Sequence, residues 1–197
     1  MKNKEISYEI IDFSGETNVQ FRTSVDPGSY IPTHWHRAIE IIYMQEGSLD
    51  VTVESESFTI HEGDCILVNG NVLHSTKCTA PNTAILLQIP LDFMAKYIPD
   101  LGQLIFLWDY RTEDPVKKTK LMMLKTTLEQ LQVINDIRPD GFILRFNSLI
   151  FELLFQLYHN FSVKVFHQNI NQRQKEMDRL DPVLNYIAEH YKEPISL

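Results

Sequence analysis

The feature that most constrains the fold of this chain is a change in hydrophobic period near residue 114. Between residues 6 and 108, short β-like runs alternate with turn residues such as Asp26-Pro27-Gly28 and Asn69-Gly70-Asn71. Several short strands at this spacing predict an antiparallel sandwich or barrel. The predicted strands are residues 19–25, 40–44, 49–53, 58–60, 65–68 and 84–89.

Beyond this point the apolar residues recur every three or four positions, which predicts two amphipathic helices. Asp114 suits a helix N-cap, and Pro115 suits the first helical position. The first helix carries on one face Leu121, Leu124, Leu128 and Leu131. The second carries Phe142, Phe146, Leu149, Ile150, Leu153, Leu157 and Phe161. We therefore predict an α+β fold, with an antiparallel, jelly-roll-like β-barrel in residues 1–113 and a helical segment in residues 114–161.

The second helix is apolar over a broader surface than one contact with a barrel needs. Ile143, Leu144 and Leu154 widen its apolar face beyond a single stripe. A partner subunit would cover the excess, so we predict a homodimer formed through residues 142–161. The alternative is that both helices cover an open face of their own barrel, because amphipathic helices often pack within one chain.

The charge balance argues against one class of function for this chain by itself. Lys and Arg number 18 against 26 Asp and Glu, so the net charge is −8 and a broad contact with DNA phosphates is not expected. We see no signal-peptide pattern and no run of about 18 apolar residues, and so expect a cytoplasmic protein that does not enter membranes. Cys65 and Cys78 lack the spacing of a zinc or redox motif and are interpreted as reduced thiols in strands.

Candidate metal ligands are concentrated in residues 28–47. His34, His36 and Glu40 have the same parity, so on one extended strand they would project from the same face. His74 is the candidate for a fourth ligand. Three imidazoles and one carboxylate suit a divalent ion of zinc, nickel, iron or manganese. The sequence therefore predicts a site for one such ion and no other cofactor.

Two other interpretations of the same residues remain open. They could line a metal-free polar pocket for a small molecule, or form a structural network that only satisfies its own polar groups. Met44, Val72 and Thr76 share the parity of the candidate ligands on their own strands and are predicted to line the pocket. Trp35 has the opposite parity and is predicted to pack against a helix or a neighbouring strand.

The spacing of these residues resembles the two cupin motifs. The first motif, G-x5-H-x-H-x3-E-x6-G, is matched at every fixed position from Gly28 to Gly47. The second motif, G-x5-P-x-G-x2-H-x3-N, is matched at Gly63 and His74. Its other fixed positions are occupied by Asn69, Asn71 and Cys78. The resemblance implies a cupin barrel with His34, His36, Glu40 and His74 at the metal-ligand positions.

The order of segments along the chain resembles the AraC/XylS family of transcription regulators. A polar stretch, residues 162–178, is interpreted as a linker, and residues 179–197, which contain the run D-P-V-L-N-Y-I-A-E-H-Y, resemble the beginning of the family's helix-turn-helix domain. The resemblance implies that the DNA-binding domain continues beyond Leu197, so no residue of this chain is assigned to base contacts. We expect a non-enzymatic sensor of a small-molecule effector, with a metal-dependent cupin enzyme, such as a dioxygenase or isomerase, as the alternative.

Overall fold

The computed structural model describes residues 6–165, which contain two β-sheets of a barrel, a small outer sheet and three helices. The strands are Ser7–Tyr8 (β1), Gln20–Asp26 (β2), Tyr30–Trp35 (β3), Ala38–Glu46 (β4), Ser48–Val53 (β5), Glu56–His61 (β6), Cys65–Val68 (β7), His74–Lys77 (β8), Asn82–Pro90 (β9), Leu104–Phe106 (β10) and Ser162–Lys164 (β11). The helices are Leu91–Met94 (α1), Pro115–Ile137 (α2) and Phe142–Phe161 (α3), and Leu101–Gln103 form a 3-10 turn.

The barrel is made of a five-stranded and a four-stranded sheet. Their strand orders are β1-β3-β8-β5-β6 and β2-β9-β4-β7. Neighbouring strands are antiparallel except β1 and β3, which pair in parallel. The predicted α+β class with an antiparallel, jelly-roll-like barrel is therefore confirmed.

Strand β4 is buried on both faces and separates two hydrophobic cores. Ile39 and Ile41 belong to the outer core, which lies between the four-stranded sheet and the helices. Ile42 and Met44, which have the opposite parity, belong to the inner core of the barrel. Because side chains alternate along a strand, Glu40 shares its parity with the inner residues. A single strand thus links the barrel interior to the helices.

The helices begin and pack as their apolar periodicity indicates. The Asp114 carboxylate accepts hydrogen bonds from the backbone N–H groups of Val116 and Lys117, at 2.8 and 3.2 Å, which confirms it as the N-cap of α2. The second helix, α3, buries Phe146, Leu149, Leu153 and Leu157 in the outer core. The apolar face that the periodicity predicted for α3 is thus covered by the barrel and α2 of the same chain. This is the alternative to a partner subunit that the sequence left open.

The segments that flank the helices form a small sheet of their own. Leu104–Phe106 (β10) pair with Ser162–Lys164 (β11), so the first residues of the predicted linker are a strand. Residues 166–178 of that linker and the predicted start of a helix-turn-helix lie outside the described residues. Within the described range, no helix has the length and apolarity needed to cross a membrane.

The two cysteines are buried free thiols. Cys65 lies in β7, and burial raises its pKa to about 12, so it is a poor thiolate nucleophile. Cys78 follows the last residue of β8, and the prediction that it lies within a strand is wrong. Neither thiol contributes a candidate ligand to the cluster of His34, His36 and His74.

Candidate metal centre

The first three predicted ligands lie on either side of a corner in the chain. Strand β3 ends at Trp35 and β4 begins at Ala38, in the other sheet of the barrel, so the expectation that one strand carries His34, His36 and Glu40 is wrong. The side chains still converge because the two strands belong to facing walls of one barrel. On the neighbouring strand β8, His74 pairs directly with His34, which brings the fourth predicted ligand to the same place.

The four predicted ligands form one compact, buried cluster. The candidate ligand atoms of His34, His36 and His74 all lie within 4.8 Å of one another. Glu40 Oε2 is 3.3 Å from His36 Nε2, and Glu40 Oε1 is 3.9 Å from His74 Nε2. All four residues are buried. Two ligands at about 2.1 Å from one ion are separated by roughly 3 to 4.2 Å, so these carboxylate distances are compatible with a shared ion.

Backbone carbonyl groups orient all three imidazole rings in the same way. His34 Nδ1 is 2.9 Å from the carbonyl oxygen of Pro32, and His74 Nδ1 is 2.9 Å from that of Val72. His36 Nδ1 is 3.1 Å from the carbonyl oxygen of Ala38. A carbonyl oxygen only accepts, so each Nδ1 carries the proton and donates it. In the neutral rings, each Nε2 therefore presents a lone pair, which is the form that binds a metal ion.

His74 contains an unsatisfied buried nitrogen that this orientation explains. Its Nε2 is buried and has no hydrogen-bond partner within the described part of the chain. Burial lowers the pKa of His74 below its usual value, although Glu40 and the hydrogen bond with Val72 act in the opposite direction. A neutral His74 thus presents a buried, unpaired lone pair, which is costly unless a donor or a cation occupies the space in front of it.

Glu40 supplies the negative charge of the cluster. Burial alone would raise its pKa, but the short contact with His36, the electrostatic influence of His74 and His36, and the hydrogen bond from Gln88 together lower it. Gln88 Nε2 donates to Glu40 Oε2 at 2.6 Å, across the β4–β9 pair in which these two residues are opposite each other. A buried carboxylate held in its ionised form beside three imidazoles is a donor set that suits a divalent cation.

Two residues of the cluster were not predicted from the sequence. Gln88 is the only polar side chain between Ala84 and Ile89, and this interruption of an apolar run was a usable signal. Glu9 lies outside both motifs, yet its Oε2 is 3.5 Å from His34 Nε2 and 3.9 Å from His36 Nε2. It reaches the cluster through the parallel pairing of β1 with β3, which the local sequence does not indicate.

Two of the three departures from the second motif have structural replacements. Asn71 has a left-handed backbone with φ of 63°, a conformation usual for glycine, and its N–H donates to the carbonyl oxygen of His36. Asn69 exchanges two hydrogen bonds with the backbone of Phe106 in β10, at 2.7 and 3.0 Å. The loop before His74 is therefore fixed by different contacts, and His74 still joins the cluster.

The residues predicted to line a pocket are placed apart from one another. Met44 is fully buried in the inner core, four residues after Glu40 on the same face of β4. Val72 contributes the carbonyl oxygen that orients His74. Thr76 lies on a second cavity, of about 370 Å³, beside strands β5 and β6. Trp35 packs on Tyr8 of the neighbouring strand β1, with ring centroids 4.6 Å apart, as predicted for a residue on the opposite face.

A larger cavity lies beside the cluster and not within it. It has a volume of about 560 Å³ and is lined by residues of the β7–β8 loop, α1 and β10. Its lining includes Val72 and Asn71, whereas none of the three histidines or Glu40 lines it. The cluster itself is closely packed, with the rings of His34 and His74 only 4.2 Å apart. The cavity thus provides room for a small molecule next to the histidine cluster.

Comparison with known proteins supports the assignment of the fold. Residues 21–90 match the family model of the cupin domain, and this match includes all four predicted ligands but not Glu9. The barrel is accordingly a cupin fold with added helices. Over its whole length the chain is similar to YdeC of Bacillus subtilis (strain 168), an uncharacterized HTH-type transcriptional regulator. The two are 23% identical over 224 aligned residues, which cover 100% of this chain and 71% of that protein.

Solved cupin structures align with parts of the chain. An RmlC-like cupin from Shewanella frigidimarina is 26% identical, covering 38% of this chain and 70% of its own, with a TM-score of 0.35. Oxalate decarboxylase of Bacillus subtilis, an enzyme with Mn(II) centres, is also 26% identical, covering 36% of this chain and 21% of its own, with a TM-score of 0.33.

Proposed function

We propose that this chain is the sensor and dimerisation part of a cytoplasmic DNA-binding transcription regulator of the AraC/XylS type. The observation that carries the proposal is the similarity to an HTH-type regulator along the entire chain, beyond the cupin domain. The acidic balance of the chain fits a division of labour in which DNA contacts belong to a separate domain. In this proposal the chain senses a signal and is not an enzyme.

The signal that we propose includes one divalent metal ion at the histidine cluster. The supporting observation is the shared orientation of His34, His36 and His74, whose Nε2 atoms face one another next to the Glu40 carboxylate. When bound, such an ion would supply positive charge to a buried group of acceptors in which His74 Nε2 has no hydrogen-bond partner within residues 6–165. Zinc, nickel, iron and manganese all suit this donor set.

A small-molecule effector has a place beside the ion in this proposal. The cavity of about 560 Å³ has the size of typical ligand pockets and is mainly bounded by apolar side chains. Val72 connects the two sites, because it lines the cavity and its carbonyl oxygen orients His74. An effector that moves the β7–β8 loop would therefore change the ligand geometry at His74.

Strand β4 offers a route from the site to the helices. Glu40 belongs to the cluster, while its neighbours Ile39 and Ile41 are buried in the outer core with α2 and α3. A change at Glu40 is thus one residue away from the helix interface. Coupling between such sites is typically about 1 to 3 kcal/mol, which corresponds to a roughly 5- to 150-fold change in affinity.

The regulator proposal predicts metal-dependent DNA binding by the full-length protein. The protein would first select its preferred sequence from a random DNA pool, and its affinity for that DNA would then be measured by fluorescence anisotropy. We expect the metal-loaded and chelator-treated forms to differ at least about fivefold. Equal affinities would contradict the sensor proposal. They would favour the metal-dependent enzyme, for which Glu9 provides a carboxylate beside the cluster that could transfer protons.

The second part of the proposal is a homodimer formed through one exposed stripe of α3. Leu144, Phe151, Phe155 and Tyr158 repeat at helical spacing and are exposed, with Leu144 at 80% and Phe155 at 58%. This stripe differs from the buried residues that periodicity first indicated. We propose a second copy of the chain as its partner, because the same stripe on two copies forms a self-complementary interface.

Substitution of this stripe is expected to abolish the dimer. At micromolar concentration the wild-type chain should sediment as a species of about twice its 23.0 kDa mass, and Phe155→Glu should sediment as a monomer. Both forms should fold, since Phe155 is exposed. Met122→Glu, on an equally exposed position of α2, should leave the dimer intact. A wild-type chain that sediments only as a monomer would contradict the proposal.

A further inference from the structure

The N-terminal strand β1 is held on the barrel by a short backbone pairing and by the contact of the Tyr8 ring with Trp35. Ser7 and Tyr8 pair in parallel with β3, and the N–H of Glu9 donates to the carbonyl oxygen of Trp35 at 2.9 Å. Ile6 and Ile10, which flank β1, are both more than half exposed, so these two side chains bury little apolar surface against the barrel. A two-residue strand at the edge of a sheet is weakly stabilised by backbone pairing alone.

Glu9 nevertheless directs its carboxylate at the histidine cluster. Its Oε2 lies 3.5 Å from His34 Nε2 and 3.9 Å from His36 Nε2. The Nδ1 atoms of both rings donate to backbone carbonyls, so in the neutral rings both Nε2 atoms face the carboxylate with lone pairs. Acceptors that face each other at these distances gain nothing from direct contact. A cation between them would turn the same arrangement into an attraction.

The distances fit a shared ion better than hydrogen bonds. Both separations lie within the range of roughly 3 to 4.2 Å expected for two ligands about 2.1 Å from one ion. With Glu9 and Glu40 ionised and the three rings neutral, the cluster carries two negative charges, which one divalent cation balances. Glu9 is 43% exposed through its side chain, so it closes the cluster from the solvent side.

We propose that Glu9 is an additional ligand of the metal ion and that the ion fastens β1 to the barrel. This inference rests on the proposed metal site at His34, His36, Glu40 and His74. If the inference is correct, the docking of the N-terminal strand β1 on the barrel depends on whether the metal ion is bound. By linkage, whatever free energy the ion contributes to the docking of β1 also appears in the affinity for the ion.

Glu9→Gln tests this role, with Glu16→Gln as the matched control. Both variants remove one carboxylate from the N-terminal region, but Glu16 is exposed, whereas the ion pairs of His34 and His36 within residues 6–165 include two with Glu9 and none with Glu16. Binding of Zn²⁺ and of Mn²⁺ to the whole chain would be measured by competition with a chromogenic chelator. We expect Glu9→Gln to lower the affinity about 10-fold or more and Glu16→Gln to leave it unchanged.

Hydrogen exchange gives a second readout that does not depend on affinity. In the wild-type chain, Zn²⁺ should slow exchange of the Glu9 amide, which donates to Trp35, and in Glu9→Gln the amide at position 9 should exchange equally fast with and without Zn²⁺. If Glu9→Gln bound the ions with wild-type affinity, or if Zn²⁺ did not change exchange of this amide in the wild type, the inference about Glu9 would be overturned. The metal site at the other four residues would not be affected. A wild-type chain that binds neither ion would overturn the metal site, and the inference with it.

Discussion

Phe146→Ala is expected to destabilise the chain by roughly 3 to 5 kcal/mol, the range for removing a large buried aromatic side chain. Phe146 is fully buried at the junction of α3 with the barrel. Its ring packs against Phe21 of β2 with centroids 5.8 Å apart and against Phe142 at 5.4 Å. The alanine variant would leave a cavity at the contact that joins the helices to the sheet, and urea unfolding with an unchanged m-value would measure the loss.

Met122→Ala is the control for this experiment. It also removes a long apolar side chain from a helix, but Met122 is 61% exposed, so the expected change is within about 0.5 kcal/mol. If Phe146→Ala were as stable as Met122→Ala, the helices would not be docked on the outer face of the four-stranded sheet. The proposed route through β4 would then lose its basis.

The second large effect is stabilisation by the metal ion. An ion present at about a thousandfold above its dissociation constant should stabilise the folded chain by about 4 kcal/mol. Thermal unfolding of the wild type should therefore shift upward with Mn²⁺ or Zn²⁺ and return to its starting point with a chelator. His74→Ala should abolish this difference, because His74 contributes the buried Nε2 that lacks a hydrogen-bond partner in residues 6–165.

The quantity to compare is the difference between metal-loaded and chelator-treated protein for each variant, so a change in the stability of the apo form does not matter. His61→Ala is the matched control, because His61 is an exposed histidine at the end of β6. It should retain the full shift. An equal shift in His74→Ala and the wild type would mean that the ion binds elsewhere.

The long elements could be predicted from sequence because periodicity needs several residues to be visible. Strands such as β4 and β9, with nine residues each, extend the predicted ranges by at most two residues at either end. The strands β1, β10 and β11 have two or three residues, too few for a pattern. Strand β8 has four residues, but all of them are polar, so no apolar run marks it. Their pairing is set by contacts between distant parts of the chain, which local propensity does not encode.

In the candidate site, too, some residues could be predicted from the sequence and one could not. Motif spacing correctly predicted that His34, His36, Glu40 and His74 come together, although the geometric reason was wrong, because a corner separates β3 from β4. Glu9 could not be predicted, since its position depends on a parallel pairing between β1 and β3, strands that are distant in the sequence.

Helix periodicity identified which residues of α3 are apolar but not what covers them. Phe146, Leu149 and Leu153 are buried against the barrel and α2, while Leu144 and Phe155 are exposed. Both groups are apolar in the sequence. Only the docking of α3 on the sheet determines which group is buried and which is exposed. The homodimer therefore remains a proposal that now rests on the exposed stripe.

The most direct test of the central claim is elemental analysis by mass spectrometry of the chain purified without an affinity metal column, beside His36→Ala. His36 is almost fully buried in the cluster, 3.3 Å from Glu40, so its substitution removes one of the proposed ligands. We expect close to one divalent ion per wild-type chain and a strongly reduced content in His36→Ala. Equal metal content in both proteins, or none in the wild type even after addition of Zn²⁺ and Mn²⁺, would contradict the claim.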